Sequence, residues 1–265
     1  MNAQATSIRT RFQKRQRLFG AWTSLGHPSI TELFAQAHVD FVGIDLEHST
    51  ISQEQAQRII AAAQTWGVAC LPRVASHNEE AIKRLLDSGA DGIIVPNVST
   101  PDEVEQLIAW CKYPPRGKRS YGVARAQSYG LSFDDYVKAW NERSVLIIQI
   151  ESIQAVDVVG KLVSAEEVDG VMIGPYDISG SLGLPGQLDH PRVTSACQRV
   201  VEVCQRYEKA CGTQLVEPTA ERVAAALANG YTFVVLASDV FILWKWTQHM
   251  RILIHGLTQE ALAGR

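Results

Sequence analysis

Cysteine and histidine are scarce in this 265-residue chain, with five and seven copies. Cys70, Cys111, Cys197, Cys204 and Cys211 are odd in number and form no C-x-x-C pair. That argues against a disulfide framework or a zinc ribbon and predicts reduced thiols, packed as small hydrophobes, in a cytoplasmic protein. No H-E-x-x-H motif and no cluster of three histidines is present, so the usual zinc centres are excluded as well. A membrane span needs about 18 apolar residues in a row. The nearest run, Phe233 to Trp246, is broken by Ser238, Asp239 and Lys245. An excess of positive charge is also missing. The chain carries 25 Lys and Arg against 28 Asp and Glu, a net −3, which argues against a dedicated nucleic-acid binder.

What the chain does have is apolar material in short, regular pieces. Hydrophobic residues make up 46% and charged residues 20%, enough for a large core and too apolar for disorder. Eight β-like runs stand out: 18–22, 41–46, 70–74, 92–95, 145–150, 170–173, 212–216 and 233–236. Several are continuously apolar, as strands buried on both faces of a parallel sheet are. Helical periodicity fills most of the gaps, as in 53–66, 79–86 and 102–110, the last opened by Thr100-Pro101. Alternating strand–helix units predict a parallel α/β fold, and eight of them predict a (β/α)8 TIM barrel forming one domain over 1–265. An open doubly wound sheet is the alternative, but no G-x-G-x-x-G follows the first strand. The stretch 113–143 reads as an insertion rich in Arg, Gly, Tyr and Ser. Residues 1–17 hold five basic and no acidic residues. They read as a solvated leading helix rather than a transit peptide.

Barrel active sites form at the C-terminal strand ends. Asp45, Glu47 and His48 follow the second strand, Arg73 ends the third, and Gln149 and Glu151 end the fifth. Gly174-Pro175-Tyr176-Asp177 follows the sixth, Glu217 the seventh and Asp239 the eighth. Asp239 fits a helix cap best. Glu151 and Asp177 offer hard oxygen donors suited to Mg²⁺ or Mn²⁺. Arg73 supplies a planar cationic fork for a carboxylate or a developing enolate. Asp45 and His48, three apart, suit a carboxylate orienting an imidazole as general base. The Gly/Ser-rich run 174–183 has backbone N–H groups for an anion. None of the eight lysines falls at a strand end, which disfavours imine chemistry. The apolar residues 240–246 run round most of the last helix, so Trp244 or Trp246 is expected at a subunit contact of a homo-oligomer.

The chain resembles the HpcH/HpaI aldolases, the class II pyruvate aldolases. The resemblance is carried by FVGIDLEHS at 41–49, LPRV at 71–74, LLDSGADGIIVPNV at 85–98, YPPRGKRSYGVARAQSYG at 113–130, IIQIES at 147–152 and VDGVMIGPYDISGSLG at 168–183. It implies a TIM barrel and a divalent metal, Mg²⁺, Mn²⁺ or Co²⁺, held by Glu151 and Asp177. It further implies that Arg73 contacts the pyruvate oxygen and that His48, with Asp45 beside it, moves a proton. Gln149, Gly174, Pro175, Tyr176 and Leu215 belong to the implied substrate shell. Asp87 is implied to reach a neighbouring subunit's site, with the last helix exchanged between subunits of a hexamer. Ser120-Tyr121, Tyr176, Asn97 and Glu217 depart from the pattern, so substrate identity does not transfer. The expected function is cleavage of a 4-hydroxy-2-oxo acid to pyruvate and an aldehyde through a metal-stabilised enolate. A lyase acting on acyl-CoA thioesters and a keto-acid-binding barrel without turnover are the alternatives.

Overall fold

Eight parallel strands pair in sequence order and close on themselves: β1 (Leu18–Thr23), β2 (Phe41–Asp45), β3 (Ala69–Arg73), β4 (Gly92–Val95), β5 (Val145–Ile150), β6 (Gly170–Ile173), β7 (Ala210–Leu215) and β8 (Phe233–Ser238). The computed structural model describes residues 7–263. Residues 1–6 of the basic leading segment lie outside the described residues. The helices are α1 (Ile8–Gln13), α2 (Pro28–Gln36), α3 (Gln53–Thr65), α4 (Glu79–Asp87), α5 (Pro101–Cys111), α6 (Phe133–Arg143), α7 (Ile153–Leu162), α8 (Pro175–Ser181), α9 (Pro191–Arg206), α10 (Ala220–Ala228) and α11 (Asp239–Ala263). This is the expected (β/α)8 barrel. Leu18 pairs with Phe233 across the β1–β8 ladder, which rules out an open sheet. The expected insertion resolves into a loop, a 3₁₀ turn at Arg125–Gly130 and the regular helix α6.

Register fills the barrel. Gly20 faces Phe41, Trp22 faces Gly43 and Gly212 faces Phe233 on neighbouring strands. A Cβ on any of these glycines would overlap the facing ring, so each inward aromatic occupies the space its partner leaves. At the N-terminal mouth, Phe12 of α1 packs on Phe41 and Phe233 with centroids 5.8 and 5.3 Å away. Arg9 is 1% exposed and pairs with Asp169 at 2.7 Å, while Arg11 pairs with Asp40 at 2.6 Å. The leading helix is thus no solvated segment but a plug. Its charges read as surface because their partners lie far along the chain.

The same end repeats fourfold. The residue before each even strand, Asp40, Asp91, Asp169 or Thr232, accepts a backbone N–H from the second residue of the preceding odd strand. The donors are Phe19, Cys70, Leu146 and Cys211, at 2.7, 2.9, 2.9 and 3.0 Å. Each accepting residue returns its own N–H to the carbonyl of its donor, at 2.7–2.9 Å. Lys112 is buried here too, donating to the Ser144 carbonyl and hydroxyl. Burial, with Arg9 nearby, brings it down to about 8. It lies at the end opposite the strand C-termini. All five cysteines are free, four of them buried. Among the described residues no helix is long and apolar enough to cross a membrane.

Candidate active site

Asp45 closes β2 and Arg73 closes β3, and the ladder sets them directly beside each other. Alternation turns both toward the barrel axis. The Nε and Nη2 of Arg73 donate to Asp45 Oδ1 at 3.2 and 2.8 Å, and Nη1 lies 3.1 Å from Glu47 Oε2. The guanidinium also sits 5.2 Å from the centre of the Trp22 ring. Burial works to raise the Asp45 pKa, but the Arg73 charge and the His48 backbone N–H outweigh it and hold the carboxyl below the usual range.

The expected Asp45–His48 dyad is corrected by this geometry. Asp45 Oδ1 accepts the backbone N–H groups of Glu47 and His48, both at 3.1 Å, and not the imidazole. The chain turns immediately after β2, so the carboxylate caps the turn while the imidazole, 70% exposed, points away. The carboxylate near His48 Nε2 is Glu47, at 3.7 Å. Glu47 was placed on the rim from the sequence but given no role, although it stands two residues beyond Asp45, the spacing that shares a face along a strand. Burial raises its pKa. Arg73 and His48 oppose that rise, while Asp45 and Asp177 add to it.

Glu151 follows β5 and is buried. Gln149 Nε2 donates to its Oε1 at 3.1 Å and the Asn97 backbone N–H to its Oε2 at 2.8 Å. Burial raises its pKa, and Glu47 and Asp177 push it further up. Asp177 lies in the first turn of α8, after Gly174 and Pro175. A Cβ on Gly174 would stand 3.0 Å from Glu151 Oε1 and 3.4 Å from Asp177 Oδ2, so glycine there lets the two carboxylates converge. Gln149 Oε1 is buried beside them without a hydrogen-bond partner. Among the described residues no group of three or more His, Cys, Asp or Glu side chains is preset for a metal. Two carboxylates and an unsatisfied amide oxygen nevertheless fit a hard divalent cation that keeps waters or substrate in its other positions.

The other expected residues are spread more widely. Tyr176 is 63% exposed beside Asp177. Leu215 is not on the barrel-facing side: Ala210 and Gly212 point inward, so the period of two brings Gln214, not Leu215, to the interior. Asp87 ends α4 at the opposite end of the barrel, bound at 2.6 Å to Nη2 of a buried Arg119. Arg119 in turn lies 4.8 and 4.5 Å from the centres of the Tyr113 and Trp140 rings. Asp239 caps backbone, accepting from Ser24, Leu25 and Val240, as its place before α11 suggested. Glu217 forms an ion pair with Lys245.

The family model for HpcH/HpaI aldolase/citrate lyase matches residues 18–245. The chain belongs to that family. It is 36% identical over 182 residues to a hydroxypyruvate/pyruvate aldolase of Sagittula stellata, covering 68% of this chain and 72% of the relative. It is 33% identical over 237 residues to a 5-keto-4-deoxy-D-glucarate aldolase of Shigella dysenteriae, covering 89% and 91%. A crystal structure of an HpcH/HpaI family protein from Burkholderia cenocepacia superposes with a TM-score of 0.87 at 27% identity, covering 94% and 98%. With these relatives, this HpcH/HpaI family member is a carbon–carbon lyase.

Proposed function

We propose that this family member cleaves a 4-hydroxy-2-oxo acid reversibly to pyruvate and an aldehyde, with a divalent cation held by Glu151 and Asp177. The observation that carries the reading is the buried Glu151 carboxylate, gripped on both oxygens and facing Asp177 beside Arg73, Glu47 and His48 on one rim. Mg²⁺ or Mn²⁺, or Co²⁺, would supply Lewis-acid polarisation of the 2-oxo group. Arg73, fixed by Asp45, Glu47 and Trp22, orients the oxo acid through its fork. Gln149 and the Gly174–Pro175 backbone bound the same space. His48 Nε2 takes the proton of the 4-hydroxyl as the C3–C4 bond breaks. The bonding pair moves into the 2-oxo group and the aldehyde leaves. Glu47, 3.7 Å from His48 Nε2, favours the imidazolium that results. The proton that His48 took then passes to C3, directly or through water, and gives pyruvate.

The exposed apolar residues of α11, Trp244 and Trp246 among them, support a homo-oligomer, which we place as a hexamer with α11 exchanged between subunits. Asp87, remote from Arg73 within one chain, would serve a neighbour. The partners are small molecules rather than nucleic acid, and the setting is the cytoplasm. The decisive experiment is deuterium exchange at the methyl group of pyruvate, with and without added Mn²⁺. Exchange should appear with the cation and vanish on chelation. Exchange that persists at full rate in excess chelator overturns the reading.

A further inference from the structure

The turn after β4 carries a connection that links the rim to a residue outside the proposed site. Asn97 adopts φ +55°, a left-handed conformation that asparagine tolerates better than most side chains. That conformation aims its backbone N–H at Glu151 Oε2, 2.8 Å away. The next residue, Val98, donates its N–H to the Gln149 carbonyl at 3.3 Å, which ties the turn to β5. The other end of the same peptide group, the Pro96 carbonyl, is held from outside by His77 Nε2 at 2.7 Å. A carbonyl only accepts, so the contact requires the proton on Nε2. His77 follows β3 and is 21% exposed, with Nδ1 facing Glu103 Oε1 at 3.8 Å.

We propose that His77 is a positioning residue. By binding the Pro96 carbonyl it fixes the Pro96–Asn97 peptide plane, and through the Asn97 N–H on that plane it sets the direction of the Glu151 carboxylate. One peptide group joins donor and acceptor, and a hydrogen bond at each end polarises the other. With Gln149 Nε2 on Oε1 and the Asn97 N–H on Oε2, the carboxylate has no freedom to rotate, and its remaining lone pairs face the rim. Deleting the His77 donor leaves the left-handed turn held by the Val98 N–H on the Gln149 carbonyl and by the long Asn97 Nδ2–Glu47 Oε1 contact at 3.4 Å, neither of which touches the Pro96 carbonyl, and frees the plane to tilt. Glu151 then meets its ligand with a softer geometry, which pre-organised ligands exist to avoid.

The inference rests on Glu151 as a cation ligand, so the test measures binding rather than turnover. Mn²⁺ is titrated into the cation-free full-length protein and free Mn²⁺ is read by electron paramagnetic resonance. Two substitutions separate hydrogen bonding from packing. His77→Phe keeps a ring and loses the donor, and His77→Gln keeps a donor and loses the ring. The expected result is a roughly 10-fold weaker Mn²⁺ affinity for His77→Phe, within the 10–100-fold range usual for outer-shell partners, and near wild-type affinity for His77→Gln. Circular dichroism confirms that both are folded. If His77→Phe does not fold, His77→Ala takes its place with the same expectation. Wild-type affinity in His77→Phe, or equal loss in both variants, overturns the positioning role. Glu151→Gln is run alongside. If it binds Mn²⁺ as tightly as wild type, the reading of Glu151 fails and the inference with it. If Glu151→Gln loses binding while His77→Phe does not, only the inference fails.

Discussion

Arg73 is held on three sides, by Asp45, Glu47 and the Trp22 ring, and that restraint decides what a substitution does. Lysine keeps the charge but cannot donate a planar pair of bonds or stack as a guanidinium does. Arg73→Lys should lower kcat by about 10²-fold, the size of losing one fixed donor to developing charge. A raised KM at unchanged kcat would assign Arg73 to uniform binding instead. His48 stands in the open, so His48→Ala should fold normally and lose about 10²–10⁴-fold in aldol cleavage, the span of a general acid–base contribution. Wild-type cleavage at saturating cation would make it a bystander. Asp45 gives a pH signature. Its pKa in the folded protein is lowered, so it contributes stability that is present above its unfolded value of about 3.9 and is lost as pH falls through the folded value. Asp45→Asn should therefore cost about 1.5–3 kcal/mol near neutral pH, the range for hydrogen bonds to a charged group. Urea midpoints should show the deficit shrinking below about pH 4; a deficit constant across pH would tie it to the shape of the turn rather than to charge.

The strands were legible as elements because those of a closed barrel are buried on both faces and read as continuous apolar runs, as 92–95 and 145–150 do. Edges were less so: β7 starts at Ala210, not Gly212, because Ala210-Cys211 looks no different from the helix end before it. Side-chain direction is legible only where alternation is counted: the resemblance alone put Leu215 in the substrate shell, and Glu47, named with Asp45 and His48 after β2, was given no role. Pairing across strands was not legible at all. Nothing local says that Asp45 meets Arg73, or that Arg9 meets Asp169 far along the chain. The fourfold Asp/Asp/Asp/Thr pattern is such a pairing, spread over four repeats. Asp91→Ala strands the Cys70 N–H in a buried setting and should cost about 1–3 kcal/mol. Because Thr232 does the same task for Cys211, Asp91→Thr should recover much of that loss. Denaturant midpoints compare the three proteins. If alanine and threonine are equally destabilised, the repeat is a coincidence of spacing.

At the scale of the whole molecule, α11 is the element the barrel does not account for. A helix that covers its own barrel shows one apolar stripe. Here Ile242, Leu243, Trp244, Trp246, Ile252 and Ile254 are 46–71% exposed on a helix where, among the described residues, only Asp239 at its start is buried. Solvent-facing apolar area of that extent is what the proposed exchange of α11 between subunits would cover. The proposed assembly also gives Asp87, at the far end of the molecule, something to do. It is fixed by a buried Arg119 wedged among aromatic rings, yet it faces none of the rim residues of its own chain. Cutting the chain after Lys245 removes most of the exposed face and leaves the Asp239 cap and the Glu217–Lys245 pair in place. The shortened protein should stay folded by circular dichroism, fall to the mass of a single chain by light scattering, and lose pyruvate exchange through the loss of the neighbour's Asp87. If it retains the mass of the full-length assembly, α11 is not the contact. If it is a fully active monomer, the site is complete in one chain and the shared arrangement is wrong.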